Sequence, residues 1–284
     1  MNPNFLKQSD EPLFPKVLWN RPVATRGAGR LLVLSGHSGD LGTPQTIYAA
    51  ATAAGVGECS IVLPDAVRKL VGDASMTYYV PSSPSGSLGR ASLAAILDLA
   101  EDYDAIAIGG GLSQNSETTM LIDSIISETD KPIILSDDAL TLMKHQLRQI
   151  AQKPNCLILT DMVGLIKASG ALGVAVNIRQ DGGIMNKVEI LRNYLAAGKA
   201  SYVVVGTELI VGVGEQVSVT PYELHAAAIT GLATGVLATF WLQNQTQTFE
   251  GLTTGSFVLA TGSKAESKTV PAITKAISKA VDQF

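Results

Sequence analysis

The stretch Asp104-Ala105-Ile106-Ala107-Ile108-Gly109-Gly110-Gly111-Leu112-Ser113, followed by a helical pattern from about Ser116, decides how the chain is read. A short run that is apolar at every position fits a strand buried on both faces of a parallel sheet. Glycines at its carboxyl end let backbone N–H groups approach a ligand with no Cβ in the way. The next unit repeats the form. Pro132-Ile133-Ile134-Leu135 is a second short strand, and Ser136-Asp137-Asp138-Ala139-Leu140 leads into another helix with two carboxylates at the strand end. Ligands of open α/β sheets bind beyond the carboxyl ends of the strands, so the first site to expect lies between these two loops.

Working outward, the same alternation continues in both directions. Arg30–Leu34 is a strand that ends in the glycine-rich loop Ser35–Pro44, with Pro44 suited to a first helical turn. An alanine-rich helix runs to Ala54, Gly55 and Gly57 stop it, and Glu58–Leu63 closes a βαβ unit of expected right hand. A short helix over 65–71, a strand over 76–80 and a helix over 88–100 lead back to the central units. Beyond them come strands at 155–160 and 201–205, with helices at 162–169 and 184–197 between. After Gly206 the texture changes: 208–213 and 216–219 read as a β-hairpin at an antiparallel edge. Two apolar helices, 225–243 and 249–260, and an amphipathic helix over 267–281 complete the chain. The prolines at 3, 12, 15 and 22 make residues 1–28 an extended arm anchored by Phe5, Leu13, Phe14 and Trp19. The fold class is therefore α/β: a three-layer arrangement with a mostly parallel sheet, helices on both faces and a late β-hairpin. Residues 29–284 read as a single domain.

Composition narrows the function. Hydrophobic residues make up 46% of the 284 and charged residues only 16%, so much surface must be covered by helices or by other copies of the chain. With the arm and the apolar helices at 225–260, this points to a homo-oligomer. A net charge of −4 argues against nucleic acid. The first twenty residues lack the basic start and apolar core of a secretory signal, and no run reaches the ~20 apolar residues of a membrane span. A cytoplasmic protein without membrane partners is expected, with Cys59 and Cys156 as free core thiols. His37 in its glycine loop reads as a turn residue, while His145 and His225 have no metal-ligand spacing, so no metal site is expected from the protein alone. Asp137 and Asp138 either cap the helix that follows or face a ligand. Thr230 and Thr234 either offer hydroxyls to a phosphate or are ordinary members of an apolar helix.

At 30–64 and 104–140 the order of loops resembles the ribokinase-like superfamily, and within it the carbohydrate-kinase-related, ADP- or ATP-dependent NAD(P)H-hydrate dehydratases. The resemblance covers about residues 21–262. Ser35-Gly36-His37-Ser38-Gly39-Asp40-Leu41-Gly42-Thr43-Pro44 stands where that family has G-G-S-x-x-Y-x-G-A-P, and Gly109–Ser113 where it has G-P-G-L-G. Ser136–Leu140 replaces D-A-D-A-L and keeps only its second aspartate, Asp138. The resemblance implies substrate contacts at Gly36, Thr43, Gly111 and Asp138. It implies nucleotide contacts at Gly206, Thr207 and Thr234, with ADP or ATP as the small-molecule partner and Mg as an accompanying ion.

The departures matter as much as the matches. The family's L-T-P-H-P-G-E falls on Leu159–Leu165, which lacks the histidine and the glutamate, and its K-G turn falls on Val205-Gly206, which lacks the lysine. Its G-S-G-D signature holds phosphate at a helix N-terminus and supplies the proton-handling aspartate. That signature falls on Leu232-Ala233-Thr234-Gly235, so Gly235 stands in the aspartate's place, and no aspartate occurs between Asp181 and Asp282. The expectation is a dehydratase-like protein with impaired catalysis, a lyase if active. The alternatives are a non-catalytic nucleotide-binding or oligomer-forming relative, or a small-molecule kinase whose proton is handled by Glu208, Glu223 or the aspartates at 137 and 138.

Overall fold

The computed structural model describes residues 5–22, 27–136, 138–177, 183–222 and 228–283. The arm is not purely extended. It forms a two-residue strand β1 (Leu6–Lys7) and a short helix α1 (Pro15–Trp19). Proline breaks a helix in its interior, but at the first turn its missing N–H has no intrahelical partner to lose, and Pro15 stands there. The anchors are Val17 and Leu18, both buried, and Phe14, whose ring meets Phe249 edge-on at 5.9 Å; Trp19 is 60% exposed.

Then follow β2 (Arg30–Leu34), α2 (Gly42–Ala53), β3 (Glu58–Pro64), α3 (Arg68–Val71), β4 (Thr77–Val80), α4 (Leu93–Glu101), β5 (Ala105–Ile108) and α5 (Ser116–Glu128). Next come β6 (Ile133–Ser136), α6 (Asp138–Leu142), α7 (Leu147–Ile150), β7 (Cys156–Asp161), α8 (Met162–Leu172), α9 (Gly183–Ala197), β8 (Ser201–Val205), β9 (Glu208–Val213) and β10 (Gln216–Pro221). The chain closes with α10 (Ala228–Gln243), α11 (Thr248–Ser263) and α12 (Val270–Asp282). The helix expected from Leu88 begins only at Leu93, because Leu88 is held in a loop whose carbonyl accepts the Thr118 hydroxyl at 2.7 Å.

One ten-stranded sheet carries the order β1-β10-β9-β8-β7-β6-β5-β2-β3-β4. From β4 to β8 every pairing is parallel, and β9 and β10 add antiparallel strands. The hairpin is not the sheet edge, since β1 pairs in parallel with β10 outside it. Alternate residues serve opposite faces, so Leu32, Leu34, Ile106 and Ile108 pack under α4–α9. Leu31, Val33, Ala105 and Ala107 pack under α1, α2 and α10–α12. Burial on both faces is why these strands are apolar at every position. Cys59 and Cys156 are free and buried, and burial pushes each thiol up to about 12.

The apolar helices do not remain open to solvent. Residues 231–241 of α10, and 249 and 251–260 of α11, are buried within the chain itself, so they offer no surface of the size first expected for a partner. Among the described residues no helix is long and apolar enough to cross a membrane.

Candidate functional site

Strand β2 has β3 on one side and β5 on the other, and the direction of winding reverses between them. The loops that leave β2 and β5 therefore diverge at the carboxyl edge of the sheet, where open α/β sheets leave a crevice. Those loops are 35–44 and 109–113, and they are stitched together. The Ser35 hydroxyl donates to the Gly110 carbonyl, and His37 Nδ1 donates to the Gly111 carbonyl at 2.9 Å. His37 is thus not a free turn residue.

Each glycine of the central turn has a distinct cause. Gly109, Gly110 and Gly111 all hold positive φ, at 127°, 77° and 88°, where side chains are strained. A Cβ on Gly109 would lie 2.0 Å from the Ser136 carbonyl oxygen, one on Gly110 2.8 Å from Thr43 Cγ2, and one on Gly111 2.8 Å from Asp40 Oδ2. Gly109 and Gly110 are buried, whereas Gly111 is half-buried at the crevice.

The geometry gives Asp138 a task beyond capping its own helix. Its Oδ1 accepts the Gly110 N–H at 2.8 Å and its Oδ2 accepts the Leu112 N–H at 2.5 Å, so the carboxylate holds the glycine turn from the neighbouring strand end. Asp137 lies outside the described residues. Asp40, which the motif comparison passed over, is half-buried and accepts from Thr43 N at 3.0 Å and Thr43 Oγ1 at 2.7 Å. Thr43, Gly111 and Asp138 thus come together with Asp40 and His37. Gly36 belongs to the packing instead: it is buried, and its added Cβ would meet Leu63 at 2.8 Å. Behind this loop lies an apolar recess of about 230 Å³ between Leu41, Pro44, Tyr48, Ile61 and Met76.

Three strands along the same edge, about 14 Å away by strand spacing, Gly206 and Thr207 are exposed in the turn from β8 to β9. Here Lys187, reaching over from α9, donates to Glu208 Oε2 at 2.6 Å and lies 3.4 Å from Thr207 Oγ1. Thr207 Oγ1 donates to the same Glu208 oxygen at 2.8 Å. Burial opposes ionisation of Glu208, but the bonds from Lys187 and Thr207 hold it below the usual carboxylate range. No sequence signal marked Lys187, an isolated lysine on a helix. Between the two clusters, Asp161 caps α8 by accepting the Gly164 N–H at 2.6 Å.

The four residues that stand in place of G-S-G-D lie inside α10. The described part of α10 is helical from Ala228, so Leu232–Gly235 lie beyond a first turn, where N–H groups are already bonded within the helix. Thr234 is 1% exposed with an unpartnered hydroxyl. Gly235 is a packing glycine: its Cβ would stand 2.4 Å from the Ile47 carbonyl oxygen and 2.7 Å from Ala51 N of α2. Gly231 of α10 lies against Thr46 and the Thr43 carbonyl, so α10 meets the first turn of α2 there. Glu223 and His225 lie outside the described residues, as does the side chain of Thr230.

The family model for NAD(P)H-hydrate dehydratase matches residues 31–277, which takes in both clusters. The chain belongs to the NAD(P)H-hydrate dehydratase family. The bifunctional NAD(P)H-hydrate repair enzyme Nnr of Moorella thermoacetica is 27% identical over 218 residues, covering 74% of this chain and 40% of that protein. The chain thus spans about two fifths of that relative's length. Among solved structures, the ADP/ATP-dependent NAD(P)H-hydrate dehydratase of Bacillus subtilis, co-crystallised with ATP and Mg2+, superposes with a TM-score of 0.69 at 16% identity, covering 99% of each chain. A ribokinase-like superfamily protein of Enterococcus faecalis gives 0.75 at 12% identity, covering 99% of this chain and 96% of that one. The fold of this dehydratase-family chain is therefore ribokinase-like.

Proposed function

We propose that this dehydratase-family protein binds an adenine nucleotide, ADP or ATP, and a hydrated nicotinamide nucleotide along the carboxyl edge of its sheet, and turns them over slowly. The hydrate is placed against Thr43, Gly111 and Asp138, and the nucleotide phosphates against Gly206 and Thr207. Thr234, buried inside α10, takes no part, and Gly36 supports the first loop from below.

The observation that carries the slow turnover is the state of the carboxylates. Among the described residues at the strand ends, Asp40 accepts from Thr43, Asp138 from two backbone N–H groups, Asp161 from Gly164, and Glu208 from Lys187 and Thr207. Gly235 has no room for a carboxylate. Loss of a general acid or base typically costs about 10²–10⁴-fold in rate. Among the described residues no three His, Cys, Asp or Glu side chains gather as a metal centre, so Mg would enter on the phosphates.

A nucleotide-dependent assay on hydrated NADPH, following the return of reduced-nicotinamide absorbance, tests this reading beside calorimetric titration with ATP. Binding with turnover at least a hundredfold below ~1 per second is expected. Binding without any turnover makes the chain a nucleotide-binding relative, and turnover at ordinary enzyme rates overturns the impairment. We place the protein in the cytoplasm, as one domain over 29–284, and as a homo-oligomer whose contacts include the arm, where Trp19 and Leu6 are exposed. Light scattering that reports a monomer at micromolar concentration removes the oligomer.

A further inference from the structure

Five loops leave the carboxyl ends of β2, β5, β6, β7 and β8: 35–44, 109–115, 136–140, 160–164 and 205–208. None contains a lysine or an arginine. A polyphosphate arriving there would meet Asp40, Asp138 and Asp161 with no cation in the loops to offset its charge. Among the described residues, the cation hydrogen-bonded to one of these loops is Lys187, delivered by α9.

Its surroundings have the form of an anion site that is already filled. A single oxygen, Glu208 Oε2, receives both the Lys187 ammonium at 2.6 Å and the Thr207 hydroxyl at 2.8 Å. A phosphate oxygen would take the same two donors, since ammonium and hydroxyl groups form charge-assisted bonds to either anion. Gly206, beside them, is exposed, and the space its Cβ would occupy is open except for the Glu208 carbonyl at 3.8 Å. The Lys187 and Glu208 side chains are 33% and 27% exposed, and ion pairs reached by water to this degree add little to stability. Moving Glu208 aside therefore costs the fold little.

We propose that Lys187 is the phosphate-binding cation of this site and that Glu208 is its built-in competitor, displaced from Lys187 and Thr207 when a nucleoside di- or triphosphate binds. The assignment rests on the nucleotide reading above and names the residue that recognises the phosphates. It gives the two partners opposite effects, which a purely structural ion pair does not do. Removing Lys187 weakens nucleotide binding, and neutralising Glu208 strengthens it.

The test is calorimetric titration of ATP into the full chain and its Lys187→Met, Glu208→Gln and doubly substituted forms, with melting curves to show that each is folded. Methionine keeps the unbranched stem of Lys187 and loses only the charge. Expected are a Kd about tenfold weaker for Lys187→Met, several-fold tighter for Glu208→Gln, and a double variant no tighter than Lys187→Met. Added salt should weaken the wild type more than Lys187→Met. If the wild type binds ATP and Lys187→Met binds within twofold of it, or if Glu208→Gln binds more weakly, the assignment is overturned while the nucleotide reading stands. If the wild type takes up no ATP, both fall. A variant that does not fold is replaced by Lys187→Gln or Glu208→Ala, read in the same way.

Discussion

Gly235 faces the Ile47 carbonyl oxygen so closely that an added Cβ would lie 2.4 Å from it. The position to which the motif resemblance assigns the family's aspartate is the contact point of two helices, α10 and α2. Thr239, one turn on, continues the seam: its hydroxyl donates to the Gly235 carbonyl at 2.8 Å within α10 and reaches the Ala51 carbonyl of α2 at 3.5 Å.

Gly235→Ala is therefore expected to destabilise the protein by about 1–3 kcal/mol through overpacking, although alanine normally favours a helix by about 1 kcal/mol over glycine. Gly235→Asp adds a buried charge without a partner and should cost about 3 kcal/mol or more. Denaturant midpoints of the two variants check this. An alanine variant as stable as the wild type would mean that α10 and α2 part easily.

Replacing Gly111 by valine forces a β-branched residue into φ 88° and its Cβ against Asp40. Ligand-free melting should fall, and the further stabilisation conferred by ATP or hydrated NADPH should shrink or vanish, because the turn faces the crevice. Should the ligand shift survive intact beside a lowered ligand-free melting temperature, Gly111 serves the fold only.

Asp138→Asn leaves one acceptor oxygen for two N–H groups and points an amide donor at the other. The unsatisfied pair should cost about 1–3 kcal/mol. It should also release the amide protons of Gly110 and Leu112 to faster hydrogen exchange than their neighbours on β5. Unchanged exchange at these two amides would show that the turn is held by other means.

The Lys187–Glu208 pair makes a pH-dependent contribution of known sign. The folded carboxyl lies below its ordinary value, so the contribution is fully present above the unfolded pKa near ~4.3 and is lost as pH falls through the lower folded value. Lys187→Met should therefore lower stability by about 0.2–1 kcal/mol at pH 7 and by less at pH 3. Urea titrations at the two pH values provide the comparison, and equal losses at both would remove Glu208 as the partner.

What the sequence by itself determined is local. Ala105–Ile108 had to be a strand covered on both faces because no polar position interrupts it, and the glycines after it had to be a turn because only glycine takes three positive φ values in a row. The loop order that followed was enough to place the chain among the ribokinase-like dehydratases. Pro15 starts a helix within the arm expected to be extended, because a proline stops a helix or starts one according to its position in the turn. The tertiary structure decided which side chains meet. Asp138 reaching Gly110, Lys187 reaching Glu208, and Gly235 lying on Ile47 are contacts between elements far apart in the chain, and neither periodicity nor composition records them. A motif assigns a residue to a place along a strand or helix, whereas the packing of one element on another decides whether that place opens on the crevice, as at Gly111, or is closed by a neighbouring helix, as at Gly235.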